Sequence, residues 1–292
     1  VNDASPGARL RDAVAQSTLL IPGAFNALVA RLIEDCGYEA MYLSGAAFSA
    51  GTLALPDIGL FTLSELTEHT RQLTRSTDLP VIVDVDTGFG EAVNVERTVH
   101  EIEAAGAAAI QLEDQRLPKR CGHLSGKQLV EPEEMESKLR AAVAARRDED
   151  FVIIARTDAR GVIGLDAALD RAKRYLDAGA DWIFPEALKT RDEFAEFAKK
   201  VKAPLIANMT EFGQSPLLSV DELRDLGYAG VLLPVTLMRV AMKAVEAALV
   251  TIADEGSQRS LLDLMQTRQE LYDLLGYNDY EQRDRKYFQQ DE

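Results

Sequence analysis

Short, almost unbroken apolar runs alternate along the chain with stretches in which apolar residues recur every three or four positions. The runs are Leu19-Leu20-Ile21-Pro22, Met41-Tyr42-Leu43, Pro80-Val81-Ile82-Val83, Ala109-Ile110-Gln111-Leu112, Phe151-Val152-Ile153-Ile154, Trp182-Ile183-Phe184, Pro204-Leu205-Ile206-Ala207 and Val231-Leu232-Leu233. Such runs predict parallel strands buried on both faces. Helix faces are marked between them by Met135, Leu139 and Val143, by Leu165, Ala168, Leu169, Ala172 and Leu176, and by Met238, Ala241, Met242, Val245, Leu249 and Ile252. Four of the helical stretches end alike, at Gly37, Gly106, Gly179 and Gly227, because glycine tolerates the left-handed position that closes a helix. Eight strand–helix units predict a (β/α)8 barrel over about residues 18–254. The competing doubly wound sheet would carry G-x-G-x-x-G after its first strand, and none is present there.

Two pieces lie outside the eight units. Ser5-Pro6 reads as the cap and first residue of a leading helix through Val14. Beyond Glu255 an additional helix is expected, with Leu261, Leu264, Met265, Arg268, Leu271 and Tyr272 at helical spacing and an apolar stripe that needs covering, on this subunit or a neighbour. The charged stretch from Asp279 to Glu292 is expected to be loosely held. No low-complexity linker divides the chain, so one barrel domain with a helical extension from about residue 255 to 292 is expected.

A net charge of −16 argues against nucleic acid and anionic membranes as partners. Two cysteines rule out a disulfide scaffold and a cysteine-based zinc site. Neither a transmembrane run nor an apolar signal core between Val1 and Ser17 stands out, which predicts a soluble, cytoplasmic protein of a reducing compartment.

In a barrel of this kind chemistry sits at the C-terminal strand ends, and polar residues collect there: Ser44-Gly45-Ala46, Asp84-Val85-Asp86, Glu113-Asp114, Arg156-Thr157-Asp158, Glu186 and Asn208-Met209-Thr210-Glu211. Asp84 and Asp86 stand two apart, so their carboxylates share a face. With Glu113 they form an all-oxygen set suited to Mg²⁺ or Mn²⁺, although either aspartate also suits capping of the next helix. In Lys119-Arg120-Cys121-Gly122-His123 a thiol stands between cations and an imidazole, a setting that makes cysteine chemically useful. Cys36 reads as a packing residue, and His69 and His100 as solvated. Arg156, Arg239 and Arg268 suit surface ion pairs equally well one by one. Together they offer an anionic substrate what a negatively charged protein otherwise withholds.

These motifs, with Tyr42-Leu43-Ser44-Gly45, Leu55-Pro56-Asp57, Phe184-Pro185-Glu186 and Met265-Gln266-Thr267-Arg268, resemble the isocitrate lyase/phosphoenolpyruvate mutase superfamily from Ser5 to about Tyr280. The Lys-Arg-Cys-Gly-His block points within it to the lyases that cleave methylisocitrate to pyruvate and succinate in propionate catabolism through the methylcitrate cycle. The resemblance implies a metal at Asp84 and Asp86, with Asp57 and Glu113 on its waters. It implies an oxo-acid contact at Ser44, Gly45 and Ala46, although the family often has glycine where Ala46 stands. Cys121, Gly122, His123, Arg156, Glu186, Asn208, Thr210, Arg239 and Arg268 would complete a tricarboxylate site, with Phe184 and Leu232 beside the methyl-bearing carbon. Cys121 would deliver a proton and Tyr42 take one, although Tyr42 suits the core equally well. It also implies a homotetramer with exchanged C-terminal helices. Rival substrates are 2,3-dimethylmalate, oxaloacetate and isocitrate; a phosphonomutase would lack the cysteine.

Overall fold

The computed structural model describes residues 4–288, which fall into two compact units meeting in sequence at Met238 and Arg239. In the first unit the strands are β1 (Leu19–Pro22), β2 (Met41–Leu43), β3 (Val81–Asp84), β4 (Ala109–Glu113), β5 (Val152–Thr157), β6 (Trp182–Pro185), β7 (Ile206–Asn208) and β8 (Gly230–Leu233). They pair in parallel in two groups, β1-β8-β7 and β2-β3-β4-β5-β6. Parallel bridges from Gly23 to Tyr42 and from Ile183 to Leu205 join the groups at both edges. The sheet therefore closes on itself, giving the barrel that the eight apolar runs predict.

Helices of this unit are α1 (Pro6–Gln16), α2 (Ala27–Asp35), α3 (Gly45–Leu53), α4 (Leu63–Ser76), α5 (Ala92–Ala104), α6 (Pro132–Ala145), α7 (Ala159–Val162), α8 (Leu165–Asp177), α9 (Arg191–Lys200) and α10 (Val220–Asp225). Alternation along each strand divides the core in two. On β5, Val152 and Ile154 join an inner cluster with Ile21, Tyr42, Ile82, Phe184 and Leu232. Ile153 and Ala155 face the helices with Leu43, Val83, Ile110 and Leu139. Leu10 of α1 is fully buried in the inner cluster, so the leading helix contributes to the barrel interior. Its start is as the sequence predicts: Ser5 accepts a hydrogen bond from Ala8 N–H at 3.1 Å and Pro6 is the first helical residue.

The second unit differs from expectation in three respects. Helix α11 (Thr236–Glu255), most of which lies in it, contains no buried residue, and Val245, Leu249 and Ile252, read as a packing face, are exposed. The single helix expected after Glu255 is a 3₁₀ turn (Arg259–Leu264) followed by α12 (Arg268–Leu275). The break is local chemistry: Thr267 and Glu270 form a reciprocal capping box that starts a new helix. The stretch from Asp279, expected to be loose, is helical through Phe288 in α13 (Tyr277–Phe288); residues 289–292 lie outside the described ones. Among the described residues no helix is long and apolar enough to cross a membrane.

Closure between β1 and β8 depends on a residue without a side chain. A Cβ on Gly23 would lie 2.1 Å from the carbonyl oxygen of Pro234 and 2.7 Å from its carbon, both rigid backbone. Gly23→Ala is expected to destabilise the barrel by about 1–3 kcal/mol, read as a lower midpoint in thermal unfolding. An unchanged midpoint would show that the closure yields at no cost.

Candidate active site

Strand register brings the polar residues together. Asp84 of β3 pairs with Gln111 of β4, and Glu113 with Arg156 of β5. Asp84, Asp86 and Glu113 are at most 6 % exposed, and one carboxylate oxygen from each lies within 4.8 Å of the others. Asp84 is held from both sides, accepting from Gly45 N–H at 3.1 Å and from Asp86 N–H at 3.2 Å. Asp86 sits in the left-handed region, φ 48°, which turns its side chain back to the cluster. Lys119 Nζ is 2.8 Å from Asp86 Oδ1 without hydrogen-bond alignment, and bonds Asp57 as well.

Burial, together with Asp84, pushes the Asp86 carboxyl up from 3.8 to about 7 against the pull of Lys119. Burial likewise raises Glu113 well above the ordinary range, with Arg156 opposing. Glu113 Oε1 is buried with no hydrogen-bond partner. Converging hard-oxygen donors, one of them orphaned, fit a divalent cation. The capping role open to the two aspartates is not taken up by either: the next helix, α5, is capped by Glu91.

Beside this cluster lies a second charged layer. Arg156 donates to Asp158 at 2.9 and 3.2 Å, stands 3.4 Å from Glu113 and 3.3 Å from Glu186, and lies over the Phe184 ring at 5.3 Å. Glu186 is fully buried, which alone would raise its pKa, but Arg156 and His123 hold it well below the ordinary carboxylate range. His123 Nε2 is 2.8 Å from Glu186, and Asn208 donates to the same carboxylate at 3.2 Å. The thiol segment reaches this layer through Gly122. A Cβ there would meet Arg156 Nη2 at 2.4 Å and Glu186 at 2.6 Å, so only glycine allows the approach. Cys121 is half-buried.

The residues flanking the thiol in sequence do not turn to it. Lys119 serves Asp57 and Asp86, Arg120 reaches toward the Ser125 carbonyl, and His123 serves Glu186. Each is drawn off by a stronger anionic or carbonyl partner. Asp57, expected on metal waters, is the partner of Lys119. Ser44 caps α3 through Ala47 N–H at 3.3 Å, Gly45 N–H is engaged by Asp84, and Ala46 is half-buried behind them. Tyr42 lies inside the barrel, donating to Gln111 Oε1 at 2.6 Å; burial first, then Asp84, raises its pKa well above 10. Thr210 is half-buried at the end of β7, with Glu211 next to it bonded by Thr236. Arg239 and Arg268 are exposed residues of the second unit. Two readings outside the site fail. Cys36 is exposed, and His69 is 6 % exposed and stacked on Phe48 at 4.7 Å, both displaced by local helix register.

Several members of the site carry no motif of their own. Gln111 interrupts an apolar run, two positions before Glu113 on the same face, and that interruption was its signal. Lys127 and Gln214 join the site only through contacts across 31 and 91 residues of sequence, and Asp114 and Asp158, which stand in strand-end motifs, meet each other across 44.

Buried carboxylates, arginine and a thiol segment gathered at the C-terminal ends of closed parallel strands define an α/β-barrel enzyme for small anionic substrates. The pattern of the phosphoenolpyruvate phosphomutase family matches residues 10–253, and the chain belongs to that family. It is 57 % identical over 280 residues to the 2-methylisocitrate lyase of Aeropyrum pernix, covering 96 % of this chain and 90 % of that one. Its fold matches 2,3-dimethylmalate lyase with a TM-score of 0.91 at 32 % identity, covering 97 % and 96 % of the two chains. It matches phosphonopyruvate hydrolase in complex with oxalate and Mg²⁺ with a TM-score of 0.88 at 32 % identity, covering 98 % and 100 %.

The raised carboxyls set a sign for the effect of metal. Without a cation the folded chain binds more protons than the unfolded chain between pH 3.8 and about 7 at Asp86, so that group's contribution lowers stability as pH rises through this window. A bound divalent cation relieves the repulsion that ionisation creates. Saturating Mg²⁺ is therefore expected to raise the thermal midpoint more at pH 8 than at pH 5, and EDTA to reverse the gain. Equal shifts at the two pH values would argue against binding at this cluster.

Proposed function

We propose that the chain is a Mg²⁺-dependent carbon–carbon lyase that cleaves 2-methylisocitrate to pyruvate and succinate, as in the methylcitrate cycle of propionate catabolism. Identity of 57 % to a 2-methylisocitrate lyase, against 32 % to 2,3-dimethylmalate lyase, favours this substrate over the related diacids. The observation that carries the reading is the approach of Gly122 to Arg156 and Glu186, which brings the thiol segment beside the three-carboxylate cluster.

The substrate is a trianion, and a protein of charge −16 needs concentrated positive charge to hold it. Arg156 supplies this at the floor of the site, and Arg239 and Arg268 of the second unit are read as further carboxylate partners. Asp84 and Asp86 hold the cation, with Asp57 and Glu113 on its waters; when bound, it supplies Lewis-acid polarisation of the oxo-acid oxygens. Ser44, Gly45 and Ala46, at the N-terminus of α3, border the oxo-acid part of the substrate, where a helix dipole favours negative charge. Glu186, Asn208, Thr210 and His123 orient the remaining carboxylates.

Cleavage starts with loss of the 2-hydroxyl proton. The C2–C3 bond then breaks, its electron pair passes to C3, and the former hydroxyl oxygen becomes the pyruvate carbonyl. The thiol of Cys121 delivers a proton to C3, giving succinate and a thiolate. Tyr42 rests as a proton donor to Gln111, so its use as the base on the hydroxyl depends on added positive charge bringing its pKa down. Keeping Cys121 reduced suits a cytoplasmic setting.

Pyruvate and succinate release from 2-methylisocitrate in the presence of Mg²⁺ tests the reaction. Cys121→Ser is expected to lose about 10³-fold in kcat because a hydroxyl is a far weaker acid than a thiol, Asp84→Asn with Asp86→Asn to abolish turnover, and Cys36→Ser to keep it. No pyruvate from the wild type, or full activity in Cys121→Ser, refutes the reading.

The exposed apolar residues Leu262, Leu264, Met265 and Tyr272 and the exposed face of α11 are read as covered by neighbouring subunits in a homotetramer with exchanged C-terminal helices. Truncation after Glu255 is expected to give smaller assemblies in sedimentation and to lower kcat/KM through loss of Arg268. A truncated chain that stays tetrameric and fully active overturns this.

A further inference from the structure

The chain on either side of Cys121 is gripped by two buried side chains that the proposed chemistry does not use. Before it, Gln115 holds Arg120 by both backbone groups, accepting from its N–H at 2.9 Å and donating to its carbonyl at 2.8 Å. After it, Lys127 Nζ donates to the Gly122 carbonyl. Between the two grips, Cys121 C=O accepts from Leu124 N–H at 2.9 Å, which closes a turn on the thiol residue itself.

Lys127 is an unusual residue for this task. Its side chain is 2 % exposed, and a lysine ammonium is almost never buried this far without a paired charge. Its partner is Asp158 at 2.6 Å, itself wholly buried. Asp158 is in turn fixed through its backbone: its N–H donates to Asp114 Oδ1 at 2.8 Å. Asp114 also accepts from Thr157, Tyr175 and Arg171, and Arg171 bonds the Val130 carbonyl at the far end of the thiol loop. The amine therefore stands on a rigid base, and it reaches out from that base to one atom of the thiol segment.

We propose that Lys127 is a positioning residue for proton delivery: held by Asp158, it fixes the Gly122–His123 peptide, one residue beyond Cys121, and so sets where the thiol lies. Asp158 also holds Arg156 by two hydrogen bonds. One carboxylate thus ties the loop that carries the thiol to the arginine at the floor of the site. The proposal rests on the reading of Cys121 as proton donor, and it predicts a defect in delivery rather than in substrate binding. Removing the amine leaves Asp158 paired with Arg156, so the fold is expected to survive.

Lys127→Met in a Cys36→Ser background tests this with two readouts. The first is turnover of 2-methylisocitrate: kcat is expected to fall on the order of 10²-fold, the effect of a reacting group displaced by about 1 Å, with KM nearly unchanged. The second is alkylation of Cys121 by iodoacetamide without substrate, expected to run several-fold faster once the peptide is released. Lys127→Arg, which keeps a charge on Asp158 and a donor for the carbonyl, is expected to move both readouts back toward wild type. If Lys127→Met does not fold, Lys127→Gln is read on the same two measurements. A kcat close to wild type, an unchanged alkylation rate, or no recovery in Lys127→Arg overturns the proposal. Alkylation needs no substrate, so it still tests the clamp if the wild type does not cleave 2-methylisocitrate.

Discussion

Burial of like charge is the constraint around which the site is organised. Asp84, Asp86, Glu113, Asp114, Asp158 and Glu186 are all at most 6 % exposed, at one end of a barrel whose interior is otherwise apolar. Ionised carboxylates so withdrawn from water are tolerable only with charge and hydrogen bonds supplied on the spot. Lys119, Lys127, Arg156 and Arg171 supply part of it, each buried: Lys119 on Asp86, Arg171 on Asp114, and Lys127 and Arg156 together on Asp158. What remains uncompensated is local: Asp86 and Glu113 keep their protons far above the usual range. The deficit falls where three oxygens converge, an arrangement suited to a divalent cation.

The barrel underneath is legible in the sequence because buried parallel strands leave a signature that no surface constraint blurs. All eight apolar runs coincide with the strands, and Ser5-Pro6 opens α1 as its residues require. The carboxylate cluster is legible for a related reason, since two aspartates two apart at the end of an apolar strand share a face, although the sequence alone also left them a capping role. What the sequence could not convey are contacts between distant residues. Lys127 reads as an ordinary loop lysine until Asp158 is seen 2.6 Å away. His69, on a helix rich in charge, gives no hint that its ring lies against Phe48. The second unit departs from its apolar spacing for another reason: a capping box at Thr267 and Glu270 outweighs the spacing that spans it.

The loop bearing Cys121 is tied to the barrel by side-chain contacts rather than by a strand ladder. It has no helix or strand between Lys119 and Gly126, and Gln115, Lys127 and the His123 ring, which accepts from Gln214 N–H at 2.9 Å, help to fix its position. A loop of this kind adapts more easily than a strand, and that favours a scaffold on which related reactions differ by what the loop presents. The strand ends supply buried charge; in the proposed reaction the loop supplies the acid.

Asp158 carries a consequence for how such an enzyme changes over generations. Because it bonds Arg156 and Lys127 together, a substitution at that position disturbs both at once, and on the proposed roles it would change substrate holding and thiol placement together. A change that retunes the enzyme for a longer or shorter acid is therefore easier at residues that bind one partner than at Asp158. One shared carboxylate makes the centre of the site conservative and leaves its periphery free to diverge.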